Sequence, residues 1–106
     1  MPATYRRYEI LLPLKFNDGR PVPPELLKET LLDIEEKLGP LSFESQEIHG
    51  VWQHEGRTYR DKQVRVFVDV PDTGDQRQFF IDLKERLKQR FEQLDIWITT
   101  HPLEIL

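Results

Sequence analysis

Valine occupies every second position from Val64 to Val70, with Arg65, Phe67 and Asp69 in between. Successive side chains of a strand point to opposite faces, so this run has one apolar face and one mixed face. The valine face must be covered by something else in the chain. Arg7 to Leu14 repeats the period, placing Tyr8, Ile10, Leu12 and Leu14 on one side and Arg7, Glu9, Leu11 and Pro13 on the other. Two half-covered strands call for helices, and the sequence offers two.

The first helix is expected from Pro24, because proline suits the first helical position and Glu25 favours the positive end of the dipole. Leu26, Leu27, Leu31, Ile34 and Leu38 fall within an arc of about 140° on the helical wheel, and Leu32 lies outside it. Gly39-Pro40 is the stop. The second helix is expected over Gln76 to Leu94. Phe79, Phe80, Leu83, Leu87, Phe91 and Leu94 share an arc of about 120°, with Ile81 outside. Its polar side offers Asp82–Arg86 and Glu85–Gln89 pairs, and Arg90 reads as snorkelling from the edge of the apolar arc.

Leu41 to Gln53 is extended but changes parity, with Leu41 and Phe43 on one phase and Ile48 and Trp52 on the other. One extra residue flips every later side chain, so a bulge is expected between the halves. His54-Glu55-Gly56-Arg57 reads as a hairpin turn. A last strand is expected at Ile96 to Thr100, followed by His101-Pro102 and the apolar end Leu103 to Leu106.

Strand, helix, strand, strand, helix, strand is the ferredoxin-like βαββαβ plan: an α+β domain with a four-stranded antiparallel sheet and two helices on one face. Right-handed crossovers place the first and third strands at its centre. No linker or repeat divides the 106 residues, so one domain is expected over 1–106.

The other face of such a sheet carries Glu9, Leu11, Arg65, Phe67, Asp69, Trp97, Thr99 and His101. Leu11, Phe67 and Trp97 would form an apolar row across three strands, and exposed rows of this kind are usually covered by a partner or a ligand. The tail, Leu103 to Leu106, is a third candidate cover. Leu11, Phe67, Trp97, Glu9, Arg65 and His101 are therefore the interface or ligand-face candidates.

Much chemistry is excluded. With no cysteine there are no disulfides, thiolate metal sites or cysteine nucleophiles. His49, His54 and His101 lack metal-site spacing, and His54 to Asp61 reads as a polar hairpin tip; no metal or cofactor is expected. The glycines read as turns and no serine sits in a nucleophile elbow. No segment approaches the roughly 20 apolar residues of a membrane span, and the N-terminus lacks a signal-like apolar region, so a cytoplasmic protein is expected. The net charge is −4, with acids around the first helix and Arg57, Arg60, Lys62 and Arg65 gathered on the hairpin. That dipolar layout, without an RNA-module signature, disfavours nucleic acid as a partner.

His49-Gly50-Val51-Trp52, Glu55-Gly56, Arg60-Asp61 and Lys88-Gln89-Arg90-Phe91, with Gly19-Arg20-Pro21-Val22 before the first helix, resemble a pattern in small uncharacterised bacterial proteins. That resemblance implies the ferredoxin-like plan and no chemistry. The topology is also similar to the dimeric α+β barrels, some of which are monooxygenases; that likeness would make Trp97 and His101 pocket residues. The resulting expectation is a domain that forms a homodimer or binds another protein through its open face. The alternative is a small-molecule enzyme or sensor with a pocket on that same face.

Overall fold

The computed structural model describes residues 4–39 and 41–106. The elements run β1 (Tyr5–Pro13), α1 (Pro24–Leu38), β2 (Ser42–His54), β3 (Arg57–Pro71), α2 (Gly74–Arg90) and β4 (Ile98–Leu103). The strands form an α+β sheet in the order β2-β3-β1-β4, antiparallel at every pairing.

Tyr8, Ile10 and Leu12 of β1 and Val64, Val66, Val68 and Val70 of β3 are buried with Ile34 of α1 and Phe80, Leu83 and Leu87 of α2. The period-two faces and the helical arcs thus meet in one apolar layer. Tyr8 stacks on Phe80 with ring centroids 4.0 Å apart. Leu32 and Ile81, outside the arcs, are exposed. Pro24 opens α1 and Gly39, at φ 85°, ends it with its N–H bonded to the Glu35 carbonyl. In α2 the Thr73 hydroxyl accepts the Gln76 N–H.

Several expectations need correction. The ferredoxin-like plan, complete in four strands and two helices, does not describe this chain. Outside the sheet a second, small β-element forms where Lys15 bridges Pro21. Beyond Val64, β2 and β3 also continue as a paired ribbon to a turn at Glu55-Gly56, both with positive φ. The molecule is consequently elongated, 49 × 28 × 25 Å.

Other corrections are local. α2 ends at Arg90, not Leu94, because Glu92 adopts φ 53° and turns the chain; Leu94 is exposed. The final strand starts at Ile98, two residues later than expected. The β2 bulge falls between Phe43 and Glu47, and Phe43, for all its apolar ring, is 45% exposed. On α2, Gln78 bonds to Asp82 and Lys88 pairs with Glu85, in place of the expected pairs.

Arg90 is not a snorkelling surface residue. Its guanidinium bonds to Asp33 at 2.8 Å and to the Thr30 hydroxyl at 3.0 Å, joining α2 to α1. No helix among the described residues is long and apolar enough to cross a membrane.

Candidate functional site

The face of the sheet away from the helices is assembled by cross-strand register. Glu9, at the centre of β1, stands opposite Phe67 of β3 on one side and Thr99 of β4 on the other. One step along, Leu11 faces Arg65. One step the other way, Arg7 lies between Asp69 and His101. Directly opposed residues share a face, so these side chains form three short rows.

Trp97 lies just before β4. Its carbonyl accepts the Leu11 N–H at 3.0 Å, carrying the register one step further and setting Trp97 opposite Leu11. Its side chain is 61% exposed. Leu11, Arg65, Phe67 and Glu9 are half-buried and His101 is exposed. The register thus brings all six candidates onto one face, although His101 sits two residues along β4 from Thr99. The tail does not cover the apolar row: Leu103 pairs with Tyr5 in the sheet, while Ile105 and Leu106 are exposed.

Arg7 is the neighbour that sequence reasoning missed. Its guanidinium makes two bonds to the Asp69 carboxylate, 2.7 and 3.0 Å long. It also lies 4.5 Å from the centre of the Phe67 ring. A bidentate pair fixes both side chains, and the cation rests on the electron-rich ring face. The shared parity of Arg7 and Asp69 was legible, but their exact opposition depended on a register that parity alone does not set.

This pairing sorts the carboxylates. Asp69 is committed to Arg7. Glu9, by contrast, has no ion pair among the described residues. A carboxylate with free lone pairs, beside a phenylalanine ring and a threonine, can accept a proton or meet a cationic ligand. Arg65 and Trp97, one row away, add a cation and a large ring.

Among the described residues, the clefts that surround this face do not include Glu9, Trp97 or His101 in their lining. A cleft of about 150 Å³ adjoins Phe67 and Asp69. A roomier groove, about 430 Å³, lies elsewhere, and none of Glu9, Trp97 and His101 lines it. The three histidines do not gather either: His49 lines that groove, His54 approaches Glu55, and His101 lies opposite Arg7. Among the described residues no three potential ligands form a metal site.

No family model matches the chain, and no curated protein matches it. Among solved structures it is similar to a phage SAM lyase in complex with S-methyl-5'-thioadenosine, with a TM-score of 0.62 over 98% of this chain and 91% of that one. The chain has the fold of the phage SAM lyase. The apo state of a phage SAM lyase matches with a TM-score of 0.58, covering 98% of this chain and 90% of that one. Sequence identity to the SAM lyase is 13% in both cases, so the likeness is one of backbone.

Proposed function

We propose that this protein is a small-molecule enzyme of the SAM-lyase kind, acting on S-adenosylmethionine or a related sulfonium compound at its open sheet face. The observation that carries this reading is the match of nearly the whole chain, 98%, to a phage SAM lyase. Fold alone does not assign chemistry, and the face supplies the second support. S-adenosylmethionine presents a sulfonium cation, a carboxylate, an amine and an aromatic base. Glu9, Arg65, Trp97 and Phe67 offer a complement to each kind of group within two neighbouring rows.

Release of S-methyl-5'-thioadenosine from S-adenosylmethionine breaks the bond between sulfur and the aminobutyryl chain. The bonding pair goes to sulfur, which leaves as a neutral thioether. In an elimination, a base takes the proton from the adjacent carbon while a carbon–carbon double bond forms. Glu9 is our choice for that base, because Asp69 is held by Arg7. Trp97 would stack on the adenine and Arg65 would take the carboxylate.

Incubating the purified chain with S-adenosylmethionine, and following products by liquid chromatography, tests the reading. S-methyl-5'-thioadenosine should accumulate, and Glu9→Gln should slow it by about a hundredfold without changing the far-UV circular dichroism. If neither compound binds and no product forms, the proposal fails.

The exposed row also supports self-association. A lone chain leaves Trp97 61% exposed, and a second copy laid on this face would cover it. Light scattering should give a mass of at least two chains, and Phe67→Glu with Trp97→Glu should reduce it to one. An unchanged mass would remove this face from the contact.

A further inference from the structure

The groove of about 430 Å³ lies between the ribbon and the turn after β1. Lys15, Arg57, Arg60 and Lys62 line it, with His49 beside them, and among the described residues no acidic side chain does. The chain carries 19 acidic against 15 basic side chains, so this concentration of cations runs against the overall charge.

Register explains how they converge. His49 faces Lys62 and Val51 faces Arg60 across the ribbon. Lys62 and Arg60 continue the parity of Val64, on the opposite side of the sheet from Glu9. Where the buried valines end, exposed cations take over that face.

The facing wall is held by backbone. Lys15 bridges Pro21, the Phe16 N–H bonds to the Arg20 carbonyl, and the Leu14 N–H bonds to the Lys62 carbonyl at 2.8 Å, tying the turn to the ribbon. The Arg20 N–H and guanidinium both bond to Asp18 and hold its carboxyl below the usual carboxylate range. That acid is thereby engaged within its own turn. Among the described residues no carboxylate pairs with Lys15, Arg60 or Lys62.

Like charges gathered in a concave space repel one another, and an anion placed between them gains from every one. We propose that this groove binds a compact chain of two or three phosphates, free or carried by a nucleoside. Its volume falls in the range of small-molecule sites. Several cations around one concavity suit a ligand with several charges close together, whereas an extended nucleic acid calls for a stripe along the surface. Asn17 and Thr58, also in the lining, add uncharged polar groups.

Isothermal titration of the full chain with inorganic tripolyphosphate, ATP and adenosine tests this independently of the sheet-face reading. Tripolyphosphate and ATP should bind one to one and more weakly as salt is raised. Arg60→Gln with Lys62→Gln should weaken both by about tenfold or more. The equally charged control, Lys28→Gln with Lys37→Gln on α1, should change them less than about twofold. Circular dichroism reports folding; should the ribbon variant fail to fold, Lys15→Gln on the facing wall carries the test and should also weaken binding.

Absence of tripolyphosphate binding, or equal weakening by both pairs, overturns the proposal. So does adenosine displacing tripolyphosphate, because the recognised part would then be the nucleoside. A single-stranded oligonucleotide that binds and resists displacement by tripolyphosphate would make the groove a nucleic-acid surface and overturn it as well. Comparable affinities for ATP and tripolyphosphate would support phosphate as the recognised group, and a preference for ATP would point to a nucleoside-borne chain.

Discussion

Phe91→Ala is expected to lower the unfolding free energy by about 4 kcal/mol, because a large side chain is removed from a fully buried site. Phe91 is inaccessible to solvent and belongs to the central cluster with Leu83, Leu87 and Ile34. It also forms the C-cap of α2, its N–H bonded to the Leu87 carbonyl at 2.9 Å. Glu92, at φ 53°, turns the chain immediately afterwards. Urea denaturation followed by tryptophan fluorescence measures the loss. A value below about 1.5 kcal/mol would show that the site collapses around the smaller residue.

Arg90→Met is expected to cost about 3 kcal/mol, by stranding a half-buried carboxylate. The arginine side chain is only 14% exposed, and its main partner, Asp33, is 26% exposed. Glu29 is 57% exposed and 3.4 Å from the guanidinium; solvent screens that contact, so it adds little. Methionine keeps the aliphatic stem but cannot donate to Asp33 or Thr30. Adding Asp33→Leu should recover a good part of the loss, since the stranded charge is then gone. If the double variant is no more stable than the single one, stem packing and not charge governs the site.

Periodicity made the central elements readable. The valines of β3, the alternation of β1 and the leucines of α1 each report which side is dry, and the folded chain buries those sides. The stop of α2 was not readable, because its left-handed residue is a glutamate and not the glycine that usually marks such a position. Arg90 looked solvated because Asp33 is 57 residues away in sequence. Phe43 looked apolar enough for the core, but it precedes the bulge on the edge strand β2 and stays exposed.

The ferredoxin-like plan was inferred from element order, which cannot report a ribbon that outruns its helices or a bridge between Lys15 and Pro21. For the candidate site, parity was enough to put Glu9, Leu11, Phe67 and Arg65 on one face. The bond from Arg7 to Asp69, which leaves Glu9 as this face's carboxylate without an ion pair among the described residues, needed the actual register. The cationic groove joins segments around residues 15–19 and 49–62, and only the folded chain brings them together.

The ribbon divides the molecule into two tiers of local stability. Val64, Val66, Val68 and Val70 are buried against the helices, so amide protons of this central strand are expected to exchange only as the whole domain unfolds. Toward Glu55-Gly56, past the tie from Leu14 to Lys62, the two strands pair with each other, and an isolated hairpin is marginal in water. The tip can therefore open and close while the core stays shut. A ligand seated between the ribbon and the turn would act as a clasp on the looser tier, slowing exchange at the tip and leaving the interior unchanged.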